Sequence, residues 1–430
     1  MNISNISNFI WSEFFLIPLL GFTGLYLTIG LRGFTIFNLK NAVFFLIQGE
    51  KSDDNNLTPF QALMTAQAAT VGTGNIIGVA AAIGLGGPGA VFWMWVIALL
   101  GMSTKYCEAF LAIMFAEKNK KGAKVGGPMY YIKNGLGTNW MWLSYFFAFF
   151  GMVASFGIGN TVQANAIVST VNDLFSIQKE TIGFIASLIV GLVILGGVKR
   201  IGYIASRLVP FMIFAYIMLC LIIILKNYNQ VFDILSLIVR DAFNLSSSSG
   251  AGIWLAIKWG FARGIFSNEA GLGSAAIAHG ASNAQDPVKQ GSIAMLGTFI
   301  DTIIICTLTS LVILLANLNL SGGNGALMST TAFSFHLGSP GKIILTSVIV
   351  VFSFTTILGW SYYGEKCTEF LFGEKSIIFF RVLWVIAVFV GATIKFELIW
   401  QIADIFNGLM AAPNLIAIIL LSPIVFKKSL

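Results

Sequence analysis

An all-α integral membrane protein of about eleven transmembrane helices is the fold class that this sequence predicts, and three observations carry the prediction. Hydrophobic residues fill 57% of the 430 positions and charged residues 10%, where an ordinary soluble domain is roughly a quarter charged. The mean hydropathy is +0.86. The apolar residues fall in runs of about 20, the length a helix needs to cross the hydrocarbon core. A water-soluble fold could not cover so much apolar surface, whereas 38 Phe and 45 Gly suit a lipid-facing shell around closely approaching helices.

Taken in order, the apolar runs begin near Phe9, Thr58, Pro88, Trp140, Thr181, Ile204, Gly250, Val288, Lys342, Ser376 and Leu398. No Lys or Arg precedes the first run and no small-residue cleavage site follows it, so Phe9 to Gly30 reads as a retained helix and not a signal peptide. Assigning alternate loops to one side gathers Arg32, Lys40, Lys51, Lys118, Lys124, Lys133, Lys199, Arg200, Lys366, Arg381 and Lys428 together. The other side keeps Lys179, Lys226, Arg240, Lys342 and Lys395. The positive-inside rule makes the crowded side cytoplasmic, with the N-terminus outside and the C-terminus inside. A multi-pass protein of the cell (plasma or inner) membrane is expected.

The net charge of +7 does not indicate a nucleic-acid partner, because the basic residues sit in short loops instead of on one water-exposed face. Cys107, Cys220, Cys306 and Cys367 are far apart and lie in or beside apolar runs, so they read as packing residues, neither a disulfide framework nor a transition-metal site.

Two spans contain residues that loosen a helix where a simple anchor would have Leu or Ile. The second carries ATVGTGNIIG around Thr70 to Gly78, and the seventh carries GIFSNEAGLG from Gly264 to Gly273. Each opens a set of five spans, and an odd number makes the two sets opposite in orientation. That is the pattern of inverted repeats meeting at broken helices near the bilayer midplane. The expected divisions are an extra N-terminal helix and cytoplasmic linker over 1–57, a first repeat over 58–227, an extracellular connection over 228–249, and a second, inverted repeat over 250–430.

At the first break Gly72 and Gly74 let the chain leave helical geometry in mid-membrane, exposing backbone groups that lipid cannot satisfy. Amides of Thr73, Gly74 and Asn75 open the second half-helix and suit a carboxylate, while carbonyls near Ala68 and Val71 suit a cation. A zwitterion with a companion sodium satisfies both. Gly78, Gly84 and Gly101 are expected to serve tight helix packing only. The second break adds Phe266, Ser267, Asn268 and Glu269. A charge at membrane depth costs about 2.5 to 3.5 kcal/mol, so Glu269 faces inward. Two roles stand for it: a bridge to Arg263 or Lys258 that locks the break, or direct contact with sodium or substrate. Asn268, which both donates and accepts, is the better substrate contact.

At these residues the sequence resembles the alanine/glycine:cation symporter family, the sodium:alanine symporters of the amino acid-polyamine-cation superfamily, over nearly its full length. GGPGAVFWMWVIALLG from Gly86 to Gly101, SNEAGLGSA from Ser267 to Ala275 and GWSYYGEKC from Gly359 to Cys367 carry the resemblance. It implies a leucine-transporter-like fold of ten core helices in a 5+5 inverted repeat, sodium coupling and alternating access. It also implies roles for particular residues. Thr70, Gly72, Thr73 and Gly74 would surround the substrate carboxylate, with Phe266 and Asn268 beside the amine and Trp360 closing the side-chain end. A Trp near a span end equally suits an interfacial anchor. Sodium would lie between the carbonyls of Ala68 and Val71 and the hydroxyls of Thr355 and Thr356, oxygen ligands that suit a hard cation; against this, threonines in apolar helices often bond only their own backbone. Asn75 would serve a second sodium.

In the fourth span Asn160 and Gln163 fall on one inward face, and Phe156 is expected to line the pocket. Asp301, Asp404, and Lys105 with Glu108 read either as structural ion pairs or as gate elements. The function expected is sodium-coupled import of alanine or glycine by alternating access, with no cofactor beyond Na+. A proton-coupled or broader carrier is the alternative. A channel is a further rival, and a membrane-embedded enzyme would need a catalytic cluster that His279 and His336, both at or beyond span ends, do not form. The preferred amino acid and the oligomeric state are not legible.

Overall fold

The computed structural model describes residues 3–12, 15–49, 56–244, 252–318, 325–393 and 396–430, the side chains of Ser4, Asn8 and 396–400 excepted. Lys51, Lys395 and Gly250, used above to set sidedness and the start of the seventh span, lie outside the described residues. The chain is built from helices of mid-membrane length. α1 (Ile3–Ile10) and α2 (Leu16–Gly30) precede an amphipathic α3 (Leu39–Gln48). α4 (Pro59–Thr70) and α5 (Ile77–Gly86) are two halves of one helix, bent by 61° across the break. α6 (Gly89–Met114) leads through a small hairpin, β1 (Glu117–Lys118) with β2 (Lys124–Val125), to α7 (Thr138–Phe175), α8 (Lys179–Ile194) and α9 (Gly197–Lys226). α10 (Tyr228–Ala242) connects to a second broken pair, α11 (Gly252–Asn268) and α12 (Ser274–Gly280). α13 (Pro287–Leu315), α14 (Gly325–Leu337), α15 (Ser339–Phe372), α16 (Ser376–Thr393) and α17 (Phe396–Ser429) complete it.

Seven of these helices are long and apolar enough to cross a bilayer alone, and the bent α4–α5 pair makes an eighth. Phe184, Leu188 and Leu192 of α8, Phe211 and Phe214 of α9, and Ile378 and Phe379 of α16 stand exposed, as a lipid-facing shell requires. Opposite them, glycines let backbones meet. A Cβ on Gly359 of α15 would lie 2.6 Å from the Ala69 amide of α4, and one on Gly89 would lie 2.5 Å from the Ala242 amide of α10. The ends of helices are chemically fixed as well. Thr58 caps α4 reciprocally with Gln61, with Pro59 at the first helical position, and Asp286 caps α13 at the Val288 amide.

Several sequence expectations are corrected. Phe9 belongs to the separate α1, and the first long helix starts at Leu16; Trp11 between them donates its indole N–H to the Asp404 carbonyl of α17, at 3.0 Å. The helix expected from Ile204 begins at Gly197, so Lys199 and Arg200 are helical residues. The 228–249 connection contains α10, whose apolar face buries Ile238 and Ala242. Gly78, expected to pack, has open space where a Cβ would stand, whereas one on Gly101 would lie 2.9 Å from Ala270.

One end of the molecule is sewn shut. Leu57 pairs with Ser282 as a parallel bridge, through Leu57 N to Ala281 O at 3.0 Å and Asn283 N to Leu57 O at 2.8 Å, tying the start of α4 to the end of α12. Lys124 of the hairpin adds its amide to Asn56 Oδ1 at 2.7 Å and its ammonium to Ala284 O at 2.9 Å. Asn119 at the hairpin tip donates to Glu369 of α15, which also pairs with Lys366.

Candidate functional site

The two breaks meet in the interior. Val71 ends α4 in extended conformation, a tight turn over Thr73–Asn75 follows, and α5 resumes at Ile77. The second break puts Glu269 in the left-handed region at φ 56°, followed by Gly271 at 90° and Gly273 at 80°. A non-glycine residue there costs roughly 1 to 2 kcal/mol and is held only where its surroundings insist. A Cβ on Gly74 would lie 3.2 Å from Ser267 Cα and 3.3 Å from the Phe266 ring, so the breaks are in direct contact.

Asp301 of α13 joins them. Its carboxylate accepts Asn75 Nδ2, Ser267 Oγ and Thr302 Oγ1, each at 2.7 Å. The wide-turned stretch Phe299–Cys306 presents Asp301 and Thr302 to the same place. Asn75 accepts the Gly72 amide on Oδ1 at 2.9 Å, which braces the break. Asn268 is similarly engaged, donating to Thr302 Oγ1 at 3.1 Å and accepting from the Ala270 amide at 2.9 Å.

The N-terminus of α12 holds a protein carboxylate. Glu108 of α6 accepts the amides of Gly271 and Gly273 at 3.0 Å each and Asn414 Nδ2 at 2.8 Å. Asn414 also donates to Gly271 O and accepts from the Tyr131 hydroxyl. The positive end of the second half-helix is therefore neutralised from within the chain. At the first, Asp301 reaches the Asn75 side chain and not the Thr73 and Gly74 amides, and nearby buried polar atoms have no hydrogen-bond partner among the described residues: Thr73 Oγ1, Gln67 Nε2 and Gln163 Oε1. Gln163 Oε1 lies 3.8 Å, and Thr356 Oγ1 2.5 Å, from where a Cβ on Gly72 would stand. Thr70 donates to Ala66 O and to Gln67 Oε1 at 2.9 Å.

Thr355 and Thr356 donate their protons to their own helix, Thr356 to Phe352 O at 3.0 Å and Thr355 to Phe352 O at 2.9 Å. A hydroxyl so committed keeps its lone pairs for a cation, which fits the hard-oxygen set expected with the Ala68 and Val71 carbonyls. The two diverge, however: Thr356 faces Gly72, and Thr355 touches Met212 Sδ at 3.5 Å.

Trp360 is no interfacial anchor. It is 1% exposed, packs on Gly159 of α7, and donates its indole N–H to Glu269 Oε1 at 2.8 Å. Glu269 takes its other bond from Ser274 Oγ at 2.5 Å, in place of the bridge to Arg263 or Lys258 that the sequence suggested. Phe156 is also displaced from its expected place. Ser155–Thr161 is a wide-turned stretch that aims Gly157 and Gly159 inward at Ala403 and Trp360, and turns the Phe156 ring onto Phe380 and Trp384, 5.3 Å away in each case. Asn160 donates to Trp384 O at 2.9 Å.

The chain matches the sodium:alanine symporter family over residues 1–429. It belongs to that family. A sodium/alanine symporter, AgcS, of Methanococcus maripaludis is 45% identical over 99% of this chain and 96% of its own length. A probable sodium/glutamine symporter, GlnT, of Bacillus subtilis is 40% identical over 98% of this chain and 88% of its own length. Among solved structures, a manganese transporter of Eremococcus coleocola aligns with a TM-score of 0.52 at 14% identity, covering 85% of this chain and 77% of its own, a likeness of fold alone.

Within this sodium:alanine symporter family member, Gln67 and the partners of Glu108 escaped the sequence reading. Gln67 stands three residues before Thr70 in an apolar helix, a polar residue that could have been singled out. Glu108 had been paired with Lys105, yet its partners are amides across the bundle, which no local spacing reveals. Lys105 is 3% exposed, and its ammonium has no hydrogen-bond partner among the described residues.

Proposed function

We propose that this family member imports alanine, and glycine, with sodium, by alternating access between two inverted five-helix repeats. The observation that carries the reading is the set of buried polar atoms at the first break with no hydrogen-bond partner among the described residues, Gln67 Nε2, Thr73 Oγ1 and Gln163 Oε1, beside the Thr73 and Gly74 amides. Buried polar groups are almost always paired, so this set reads as the contact surface of a polar ligand. The substrate carboxylate docks at the Thr73 and Gly74 amides and the Thr73 hydroxyl, where the dipole favours an anion. Gln163 Oε1 accepts from the ammonium. Phe266 and Trp360 bound the space for the side chain, which restricts it to hydrogen or methyl.

Sodium sits at the Ala68 and Val71 carbonyls with Thr356, whose hydroxyl faces Gly72, while Thr355 turns to Met212. Asn268 and Asn75 act by bracing the breaks, and Asp301 by joining them. The sewn end at Leu57 and Ser282 is cytoplasmic, as the Lys124, Lys133, Lys366 and Arg381 gathered there support. The cavity-bearing end is then extracellular.

Uptake into proteoliposomes tests the reading. Labelled alanine should accumulate against its gradient when sodium is high outside, and unlabelled glycine should compete. Equal accumulation with sodium replaced by a pH gradient in potassium would instead establish proton coupling, and a competition profile led by glutamine would overturn the substrate assignment.

A further inference from the structure

The outer face of α9 carries charge where a lipid-facing helix ordinarily has none. Arg200, Tyr203 and Arg207 stand exposed at spacings of three and four, one helical face, which continues into the exposed rings of Phe211 and Phe214. The 18 residues 208–225 carry no charge, a length of about 27 Å at roughly 1.5 Å per residue. Arg207 and Lys226 therefore bracket one hydrocarbon thickness, which sets Arg207 at its boundary, level with lipid phosphates and glycerol esters. The boundary is the one at the sewn end. On the opposite side of the same turns, a Cβ on Gly202 would lie 2.7 Å from Leu57 Cδ2, beside the Leu57–Ser282 bridge. That contact pins the inner side of α9 and so holds the outer charges in fixed places.

The guanidinium of Arg207 lies over the Tyr203 ring, its carbon 3.5 Å from the ring centroid. Stacking occupies one face of the guanidinium and leaves its N–H donors, which point outward in its plane, for an oxyanion. Among the described residues, the side chains of Lys199, Arg200 and Arg207 make no hydrogen bond or ion pair. The carboxylate that approaches this region, Glu365 of α15, is taken by Arg381 of α16, which donates Nε to Oε2 at 2.7 Å and Nη2 to Oε1 at 3.0 Å. The same Nη2 lies 3.2 Å from where a Cβ on Gly197, the first residue of α9, would stand. Positive charge thus gathers at the start of α9 with no described carboxylate to spare, and the complementary partner is an anion at headgroup depth.

We infer that this face of α9 binds the headgroup of an anionic phospholipid from the leaflet at the sewn end. The Arg207 guanidinium and the Tyr203 hydroxyl hold its phosphate, a bidentate geometry that a stacked arginine suits. Arg200 and Lys199 attract it from one to two turns further out, and Phe211 and Phe214 lie along its acyl chains.

Native mass spectrometry of the purified full-length protein with added phosphatidylglycerol counts bound lipids and tests the inference. Wild type should hold one more phosphatidylglycerol than Arg207→Gln, and should fill that site at roughly five- to tenfold less lipid. Arg207 is exposed and touches only Tyr203 by its charge, so the variant should fold with an unchanged melting temperature. Arg207→Lys keeps the charge and loses the planar fork, so its affinity should fall between the two. Phosphatidylcholine should not fill the site, and inorganic phosphate should not empty it, because the chains on Phe211 and Phe214 hold the lipid. Displacement of the lipid by inorganic phosphate would identify a soluble-anion site and overturn the lipid assignment. Equal binding of phosphatidylcholine, or a phosphatidylglycerol count unchanged in both Arg207→Gln and the double variant with Arg200→Gln, would overturn the inference.

Discussion

Thr356 and Trp360 stand one helical turn apart on α15, and each reaches a different break. Thr356 sets its oxygen against Gly72, and Trp360 bonds Glu269. If Thr356 is an ion ligand, Thr356→Val preserves shape and removes an oxygen. Half-maximal uptake should then need about tenfold more sodium, equivalent to roughly 1.4 kcal/mol, while Thr355→Val, beside Met212, changes the sodium requirement less. Equal sodium curves for wild type and Thr356→Val would remove Thr356 from the ion site. Trp360→Phe keeps a ring and deletes the donor to a buried carboxylate, a loss of about 1.5 to 3 kcal/mol. Its expected result is a lower melting temperature together with admission of valine or leucine as competitors of alanine. At this scale the sequence was a good guide to which residues gather: Thr70, Gly72, Thr73, Gly74, Gln163, Phe266 and Trp360 do converge around the breaks. It was a poor guide to Phe156, because the wide turns of Ser155–Thr161 rotate that helix by a fraction of a turn that a 3.6-residue count cannot anticipate.

Among the elements, the broken helices were legible because glycines and polar residues crowd a mid-membrane segment, where a continuous helix would satisfy every backbone group. What satisfies the broken ends was not legible. Asp301 and Glu108 come from helices whose sequence separation from their partners is 226 and 163 residues. Glu108→Ala would leave the Gly271 and Gly273 amides and Asn414 without their acceptor, at about 1 to 3 kcal/mol for each group left unpaired. Hydrogen exchange at 269–274 should rise by more than tenfold and the folded protein should lose thermal stability. Glu108→Gln retains an acceptor oxygen and should keep most of that protection. Unchanged exchange in Glu108→Ala would show that the second break holds itself. The hairpin Glu117–Val125 and the helix α14 also went unseen, being short, polar or tucked over other elements. Ser329 of α14 nonetheless donates to Ile76 O at 3.2 Å, so α14 braces the first break from its far side.

For the whole molecule, one end is sewn, with a space of only about 20 Å³ beside Pro59 and Ala284, and the other holds a cavity of about 190 Å³, which is the asymmetry expected of one state in an alternating cycle. Opening the sewn end requires breaking the Leu57 pairing with Ala281 and Asn283 and releasing the hairpin from Glu369. Asn119→Ala should therefore raise the rate at which an impermeant maleimide labels a cysteine placed at Ala281, against a low background because Cys107, Cys220, Cys306 and Cys367 are all buried. Labelling that stays at the wild-type rate would mean that the hairpin does not restrain the opening. The central claim is that an amino acid and a sodium ion share the first break, each completing the other's site. Coupling of that kind is reciprocal by thermodynamic necessity. Calorimetric titration of purified protein with alanine at several fixed sodium concentrations, and with sodium at several fixed alanine concentrations, measures it directly. The account predicts that sodium tightens alanine binding and that alanine tightens sodium binding by the same factor; alanine affinity identical in sodium and in choline would contradict it.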